Sequence, residues 1–289
     1  MSAASRSSHP PEWGNHQWFA SRFQSSAPED PSAYFGHRAN GYQRFRHNYL
    51  VGFLKAKIKS PLHSVLDLGC GTGCLTEQIR RHLRIEDARG ADFVKEMVQQ
   101  AGYRYPRIKF ATAALPQLAF PETRFDLIVS SEVLYYLSPD DRTECLRLIE
   151  QALSPGGYLL FTARLGAGYF SPAGAERLVR QSFDDLTIAW MHHRLYHALT
   201  RPLNRVIALN SALRSDGAME DRKRGQFLRQ HKRLLDNPIV RTGASMASWT
   251  GSPLIRSVVL PDLCNRLSAV AKATPSNIII LARKSEDQR

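Results

Sequence analysis

SVLDLGCGTG, at residues 64–73, is an apolar segment that runs directly into a glycine-rich turn. A helix is predicted to begin near Cys74, so the turn would lie where the carboxyl end of a strand meets the start of a helix. The backbone can approach a ligand closely at such a junction. A Cβ at Gly69, Gly71 or Gly73 would either oppose a positive φ or strike the bound molecule. The stretch therefore predicts a ligand-binding loop at the edge of a parallel sheet.

The spacing of this loop separates two classes of ligand. Dinucleotide-binding enzymes place G-x-G-x-x-G at such a turn, whereas residue 74 here is Cys74 and the glycines follow a G-x-G-x-G spacing. Asp67 lies immediately upstream, and its carboxylate would repel a pyrophosphate. The same charge suits a cofactor that carries a cationic amino group and a sulfonium. The loop therefore favours a cationic cofactor over a dinucleotide.

An acidic residue stands at the end of the next predicted strand. The segment GADF at 90–93 places Asp92 about twenty residues after the loop, where one carboxylate can accept hydrogen bonds from both hydroxyls of a ribose. The alternative is that Asp92 caps the helix predicted to begin near Val94. The glycine loop and this acid together are more specific than either feature alone.

Around the loop, residues 63–193 alternate short apolar or β-branched runs with amphipathic stretches. This alternation is typical of a parallel sheet that helices cover on both faces. A helix from Tyr42 precedes it, and NIIILAR at 277–283 indicates a further buried strand. We therefore expect a doubly wound α/β fold with a mostly parallel seven-stranded sheet and a helical insert before the last strand. The other predicted elements are strands at 64–68, 88–92, 107–112, 125–130, 157–163 and 186–192, and helices at 73–83, 94–102, 139–152, 172–182 and 260–271.

Composition divides the chain into four predicted segments. Residues 1–32 are rich in Ser, Pro, Ala and His and are expected to be irregular. Residues 33–196 form a Rossmann-like core with its leading helix, and residues 256–289 add the last helix and strand of that core. Residues 197–255 form a basic helical insert or lid. Its basic residues include Arg201, Arg205, Arg214, Arg222, Lys223, Arg224, Arg229, Lys232, Arg233 and Arg241.

The 289 residues carry a formal net charge of +13 and four cysteines. The charge favours acidic partners, which include nucleic acid, anionic lipid surfaces and anionic small molecules. The cysteines form no C-x-x-C pair and no zinc-spaced cluster with histidines, so we expect reduced thiols and no metal site. No stretch has the length of a signal-peptide core or a membrane span. We therefore expect a cytoplasmic protein without a transmembrane segment, and peripheral membrane contact stays open.

Four segments occur in the order and spacing of the class I S-adenosylmethionine-dependent methyltransferases: LDLGCGTG, GADFVKEM, RFDLIVSSEVLYYL and LSPGGYLLFTA. The chain therefore resembles this family. The resemblance implies S-adenosylmethionine as the cofactor, with its methionine moiety near Asp67 and the backbone of residues 69–73, Cys70 included. It also implies ribose contacts from Asp92 and adenine packing against Phe93.

One position departs from the pattern of the family. Members often carry an acid, just before an L-P-F-like stretch, that binds the adenine amino group, whereas this chain has Ala113-Ala114-Leu115. Adenine recognition is then expected from backbone and apolar contacts at Ala114 and Leu115. One lost charge-assisted hydrogen bond would cost roughly 1.5–3 kcal/mol. The remaining predicted cofactor contacts are Ser130, at the end of the fourth strand, and Arg38, which would meet the methionyl carboxylate.

Methyl transfer from a sulfonium is an in-line displacement, so the protein mainly aligns donor and acceptor and excludes water. A hydroxyl or ammonium acceptor must also lose a proton to a base. Glu132 and Tyr136, on the loop after the fourth strand, are the candidate catalytic residues. The alternative is a Glu132 that only caps a turn or pairs with a cation, beside tyrosines that only pack. The segment FDLIVSSEVLYYLSPDD also resembles nodulation-type methyltransferases that modify amino groups of oligosaccharides.

These features predict an S-adenosylmethionine-dependent methyltransferase that acts on a small molecule or glycoconjugate by O- or N-methyl transfer. The basic insert would suit an anionic acceptor. The net charge leaves open an RNA-modifying methyltransferase, although the chain has no recognised RNA-binding module and no N-P-P-Y-type motif on the fourth strand. The missing adenine-side acid leaves open a non-catalytic protein that binds the cofactor and keeps the fold.

Overall fold

The structure, a computed structural model, describes residues 41–201 and 258–286. Of the predicted segments, residues 1–32 and most of 197–255 lie outside this range. Every helix in the described part of the chain is too short or too polar to span a lipid bilayer. The described residues belong to two compact units, one with residues 46–192 and 274–286, the other with residues 41–45, 193–201 and 258–273.

The first unit contains seven strands: β1 (Ser64–Leu68), β2 (Asp87–Asp92), β3 (Lys109–Thr112), β4 (Phe125–Ser131), β5 (Leu153–Arg164), β6 (Asp185–Met191) and β7 (Asn277–Arg283). They form one sheet in the order β3-β2-β1-β4-β5-β7-β6. Strands β1 to β5 are parallel, whereas β7 is antiparallel to both of its neighbours. This sheet confirms the predicted α/β fold with a mostly parallel seven-stranded sheet.

The helices are α1 (Gly41–Lys57), α2 (Cys74–Leu83), α3 (Lys95–Arg104), α4 (Pro139–Ala152), α5 (Pro172–Val179), α6 (residues 194–201) and α7 (Val259–Val270). Two of them begin at a serine followed by a proline. Ser138 Oγ accepts a hydrogen bond from Asp141 N at 3.1 Å, and Ser171 Oγ accepts one from Gly174 N at 3.0 Å. These caps, with proline in the first turn, explain where α4 and α5 start.

Helices lie on both faces of the sheet. Leu66 and Leu68 of β1 pack into a core cluster that includes Ile149 of α4. Asp67, between them, points to the opposite face because side chains alternate along a strand. There its carboxylate accepts a hydrogen bond from Thr76 of α2. The strand therefore anchors α4 on one side and α2 on the other.

The two largest differences from the predicted boundaries are at the start of β5 and the end of α5; the other predicted bounds agree to within two residues. β5 begins at Leu153 rather than at residue 157, because Leu153 pairs with Phe125 ahead of an irregularity in the ladder. α5 ends at Val179 rather than at residue 182. Neither difference moves the carboxyl ends of the strands, where the candidate site lies.

In the second unit, the first residues of α1 pack against α6. The rings of Tyr42 and Tyr196 are stacked with their centroids 5.7 Å apart. The Tyr42 hydroxyl lies 3.1 Å from Nδ1 of His193. His197 packs against the same tyrosine with ring centroids 5.3 Å apart. This aromatic cluster is tightly packed and holds the start of α1 in place.

Candidate active site

The loop between β1 and α2 has a left-handed backbone at each of its three glycines. Gly69, Gly71 and Gly73 have φ angles of 70°, 53° and 75°. A Cβ at Gly69 would lie 2.3 Å from Cγ2 of Val133, so a close approach requires glycine there as well. An added Cβ at Gly71 would meet, among the described residues, only the Met97 sulfur at 3.8 Å. Gly69 thus fixes the loop against the segment after β4, while Gly71 leaves room beside it.

Asp92 ends β2, and its carboxylate joins the glycine loop to α3. Oδ2 accepts a hydrogen bond from Gly71 N at 2.9 Å, and Oδ1 accepts one from Val94 N at 3.0 Å. Burial raises the pKa of Asp92, whereas backbone hydrogen bonds from Val94, Gly71 and Phe93 lower it. The residue therefore orders the glycine loop and the turn before α3. The N-cap of α3 is Val94, without a side-chain cap, so Asp92 is not the N-cap of the alternative interpretation. Its contact with ribose stays a prediction.

Asp67 is buried on the α2 face of the sheet. Its Oδ2 accepts a hydrogen bond from Thr76 Oγ1 at 2.6 Å. Burial raises the pKa of Asp67 to about 7; the Thr76 hydrogen bond opposes this shift, and the Asp92 carboxylate adds to it. A nearby cation favours the ionised form of such a carboxyl. The position therefore suits the cationic end of a ligand.

Two further predicted cofactor residues are Cys70, within the loop, and Phe93, directly after β2. The Cys70 thiol is buried, and burial together with Asp92 and Asp67 raises its pKa well above the usual range, so it stays neutral. A Cβ at Gly90 would lie 2.9 Å from its sulfur, which shows how closely the loop packs on β2. Phe93 is half-buried and packs against a small apolar cluster at the start of α3.

The other predicted cofactor contacts are spread along the same edge. Ala114 is exposed, and Leu115 packs against the core cluster. Ser130 is buried, and its hydroxyl has no hydrogen-bond partner among the residues that the structure describes. It pairs in register with Leu68 and shares the sheet face of that residue. Arg38 lies outside the described residues.

Glu132 follows β4 with a φ of 65°, in the left-handed region. For a residue with a side chain this conformation costs roughly 1–2 kcal/mol, so its neighbours must hold it there. Oε1 accepts hydrogen bonds from Thr162 Oγ1 at 3.1 Å and from Asn277 Nδ2 at 3.0 Å. Oε2 accepts one from the Tyr135 hydroxyl at 3.3 Å, and Arg46 Nη1 lies 4.0 Å from Oε1. Groups from α1, β5 and β7 therefore converge on this carboxylate.

The two tyrosines after Glu132 belong to an aromatic cluster. Ring centroids are 4.5 Å apart between Tyr135 and Tyr136, and 5.1 Å apart between Tyr135 and Tyr169. Burial, and then the charge of Glu132, raise the pKa of Tyr135 well above its usual value, so it donates as a neutral phenol. The contacts thus include both the ion pair and the aromatic packing of the alternative interpretation. Catalytic roles for Glu132 and Tyr136 stay predictions.

Sequence reasoning missed the residues that hold the two key carboxylates. Arg46, Thr162 and Asn277 surround Glu132, and Thr76 binds Asp67. Because β7 is antiparallel, its first residue lies at the edge where β4 and β5 end. For Asn277 the sequence offered one local indication, which is its polar side chain at the start of the otherwise apolar run NIIILA.

The residues around the loop fit S-adenosylmethionine. Asp67 and Asp92 provide buried carboxylates at the ends of β1 and β2, and an added Cβ at Gly71 would meet, among the described residues, only the Met97 sulfur at 3.8 Å. One carboxylate suits a cationic methionine end, and the other suits a ribose diol. The unpartnered hydroxyl of Ser130 offers a further polar group at the same edge.

Comparisons with known proteins agree with this fit. A family model described as a methyltransferase domain matches residues 65–157. The carboxy-S-adenosyl-L-methionine synthase of Pseudomonas paraeruginosa is 32% identical over 185 residues, which cover 60% of this chain and 70% of that protein. The synthase of the same name from Shewanella amazonensis is 33% identical over 121 residues, which cover 40% of this chain and 50% of that protein.

Solved structures share the fold. The N-methyltransferase NodS from Bradyrhizobium japonicum, in complex with S-adenosyl-L-homocysteine, has a TM-score of 0.52 at 22% identity, covering 61% of this chain and 89% of that one. A putative sarcosine dimethylglycine methyltransferase from Galdieria sulphuraria has a TM-score of 0.54 at 12% identity, covering 84% and 87%. The chain therefore belongs to the class I S-adenosylmethionine-dependent methyltransferases. It is an enzyme whose cofactor is S-adenosylmethionine and whose fold implies an acceptor substrate.

Proposed function

We propose that the chain transfers the cofactor's methyl group to a nitrogen or oxygen of a small-molecule or glycoconjugate acceptor, which Glu132 orients and deprotonates. The observation that carries this proposal is the fixed carboxylate of Glu132, held in a left-handed backbone. The next residue, Val133, packs against Gly69 of the glycine loop. The carboxylate is thereby kept close to the proposed cofactor site, which supports a role in the reaction.

The two oxygens of Glu132 differ in their surroundings. Oε1 accepts two hydrogen bonds and faces Arg46, whereas Oε2 accepts one, from Tyr135 at 3.3 Å. That distance is long for a bond between two oxygens, so Oε2 keeps capacity to accept from a substrate N–H or O–H. S-adenosylmethionine supplies the methyl group as an electrophile. Oε2 takes the proton that the acceptor atom loses.

The remaining residues have proposed roles in binding. Asp92 would hold the ribose hydroxyls, Asp67 the cationic methionine end, and Phe93 the adenine ring. Most of the basic insert predicted at residues 197–255 lies outside the described residues, and its charge would suit an anionic acceptor. The resemblance of the segment after β4 to methyltransferases of oligosaccharide amino groups makes amino sugars the first acceptors to test. Tyr136 is proposed to line the acceptor side of the site.

The test is a panel of amino sugars, small amines and hydroxyl compounds, each incubated with S-adenosylmethionine and analysed for a methylated product by mass spectrometry. A Glu132→Gln variant keeps the size of the side chain but cannot act as a base, and we expect its kcat to fall by roughly 100-fold or more. Its affinity for S-adenosylmethionine should match that of the wild type. Unchanged turnover in this variant would exclude Glu132 as the base, and methylation of RNA alone would exclude the proposed acceptor class.

A second candidate follows from the match to a carboxy-S-adenosyl-L-methionine synthase over 70% of that relative. In this case the chain would modify the cofactor itself and make the carboxylated compound in the relative's name. The two candidates differ in their product. Mass spectrometry of the nucleoside fraction, after incubation with S-adenosylmethionine and a pool of carboxylate donors, would reveal a carboxylated cofactor if this candidate holds. A demethylated nucleoside together with a methylated acceptor supports the first proposal.

A further inference from the structure

A directional chain of hydrogen bonds ends at Glu132. Arg46 Nη1 donates to Ser131 Oγ at 3.2 Å, the hydroxyls of Ser131 and Thr162 lie 3.0 Å apart, and Thr162 Oγ1 donates to Glu132 Oε1 at 3.1 Å. Thr162 has one hydroxyl proton, and Glu132 accepts it, so Ser131 must be the donor to Thr162. Each of these three hydrogen bonds is therefore donated in the direction of the Glu132 carboxylate.

Asn277 approaches the same oxygen from the other side. Its Nδ2 donates to Glu132 Oε1 at 3.0 Å, across 145 residues of sequence. Asn277 is buried and opens a strand whose next five residues are buried and apolar. A buried amide is costly unless it forms hydrogen bonds, and a valine or leucine would serve packing alone equally well. The amide at this position is therefore best explained by its bond to Glu132.

Together the two donors define which oxygen of Glu132 is left for a substrate. Thr162 and Asn277 occupy Oε1, and the charge of Arg46 lies on the same side at 4.0 Å. Among residues 41–201 and 258–286, the titratable and charged groups in contact with the carboxylate are Arg46 from α1 and Tyr135 from the loop of Glu132 itself. Asn277 adds a neutral donor to this set, and it fixes the orientation of the carboxylate plane without changing its charge.

We propose that Asn277 is a positioning residue for methyl transfer: with Thr162 it holds Oε1 of Glu132, so that Oε2 is presented to the acceptor. This inference rests on the proposed function of Glu132. In this role Asn277 acts through Glu132 and requires no contact with the acceptor or the cofactor. Its loss should therefore lower kcat while KM for both substrates changes little.

The decisive variant is Asn277→Asp, which keeps the shape but brings a second carboxyl to Glu132 Oε1. We expect kcat to fall about 10- to 100-fold and the affinity for S-adenosylmethionine, measured by calorimetry, to stay within about twofold. A purely structural role for Asn277 would lower the stability of the fold without this selective loss of kcat.

Thr162 supplies matched controls for the same oxygen. Thr162→Ser keeps the hydroxyl donor and should retain nearly wild-type kcat, whereas Thr162→Val removes it and should lose about tenfold. Thermal unfolding of every variant reports whether a low rate reflects a lost fold. If Asn277→Asp does not fold, the Thr162 pair and Asn277→Leu test the same oxygen.

The carboxyl ¹³C chemical shift of Glu132 provides a readout that needs no acceptor. It should differ between Asn277→Leu and the wild type, because the variant removes the hydrogen bond to Oε1. A wild-type kcat in the Asn277 variants, together with an unchanged ¹³C shift, would overturn the proposal. Failure of the proposed function is recognised differently: Glu132→Gln would then match the wild type in every transfer assay, while the ¹³C shift still tests the contact of Asn277 with Glu132.

Discussion

Replacing Asp67 by Asn should remove a pH dependence from the stability of the ligand-free protein. Burial raises the pKa of Asp67 from 3.8 to about 7. A shift of about 3 units corresponds to about 4 kcal/mol of unfolding free energy. Below pH about 4 the carboxyl is protonated in both the folded and the unfolded chain, and the protein keeps these roughly 4 kcal/mol of unfolding free energy in full. It is lost as the pH rises to about 7, because the unfolded chain ionises first.

The assay is urea unfolding of wild type and Asp67→Asn between pH 4 and pH 8, without and with S-adenosylmethionine. The asparagine Oδ1 can still accept the hydrogen bond from Thr76, so the variant changes the charge and leaves that contact in place. In the wild type, the cationic cofactor should stabilise more at pH 8 than at pH 5, since it favours the ionised carboxylate. Equal pH slopes for the two ligand-free proteins would refute the reasoning.

Three further predictions follow from the described contacts. Gly69→Ala should lower the unfolding free energy, measured by urea unfolding, by roughly 2–3 kcal/mol, because its Cβ would lie 2.3 Å from Cγ2 of Val133. Gly71→Ala is the control, since it adds only the strain of a positive φ and should lose about 1 kcal/mol. Ser138→Ala should cost about 1 kcal/mol in the same assay, since Asp141 N loses its cap; a larger loss would point to an additional role. Asp92→Ala should weaken calorimetric binding of S-adenosylmethionine about 100-fold or more, and unchanged binding would disprove its assignment to the ribose.

Local patterns were sufficient for most of the fold. The apolar runs at β1 and β7 predicted both strands with the bounds that the structure has, because all their residues except Ser64 and Arg283 are buried. The start of β5 was missed because Pro155 and two glycines follow Leu153, and these residues usually end a strand. Only the pairing of Leu153 with Phe125 reveals the extension, and pairing is not a local property.

In the candidate site, too, local patterns predicted some residues and missed those that only the sheet brings together. The glycine loop and Asp92 lie within about twenty residues of each other, as the spacing of such sites requires, so one pattern contained them both. Two partners of Glu132, Arg46 and Asn277, lie on elements that are far apart in the sequence. Their convergence depends on the direction of β7 in the sheet, which neither hydrophobic periodicity nor residue spacing encodes.

The antiparallel placement of β7 also makes the surroundings of Glu132 depend on a distant part of the chain. The glycine loop, Asp92 and Glu132 all precede residue 133, whereas Asn277 follows on the last strand of the sheet. Asn277 supplies one of the two Oε1 donors of Glu132, and it belongs to the same compact unit as the glycine loop. A chain truncated before β7 would therefore lose that donor together with the strand that joins β5 to β6 in the sheet.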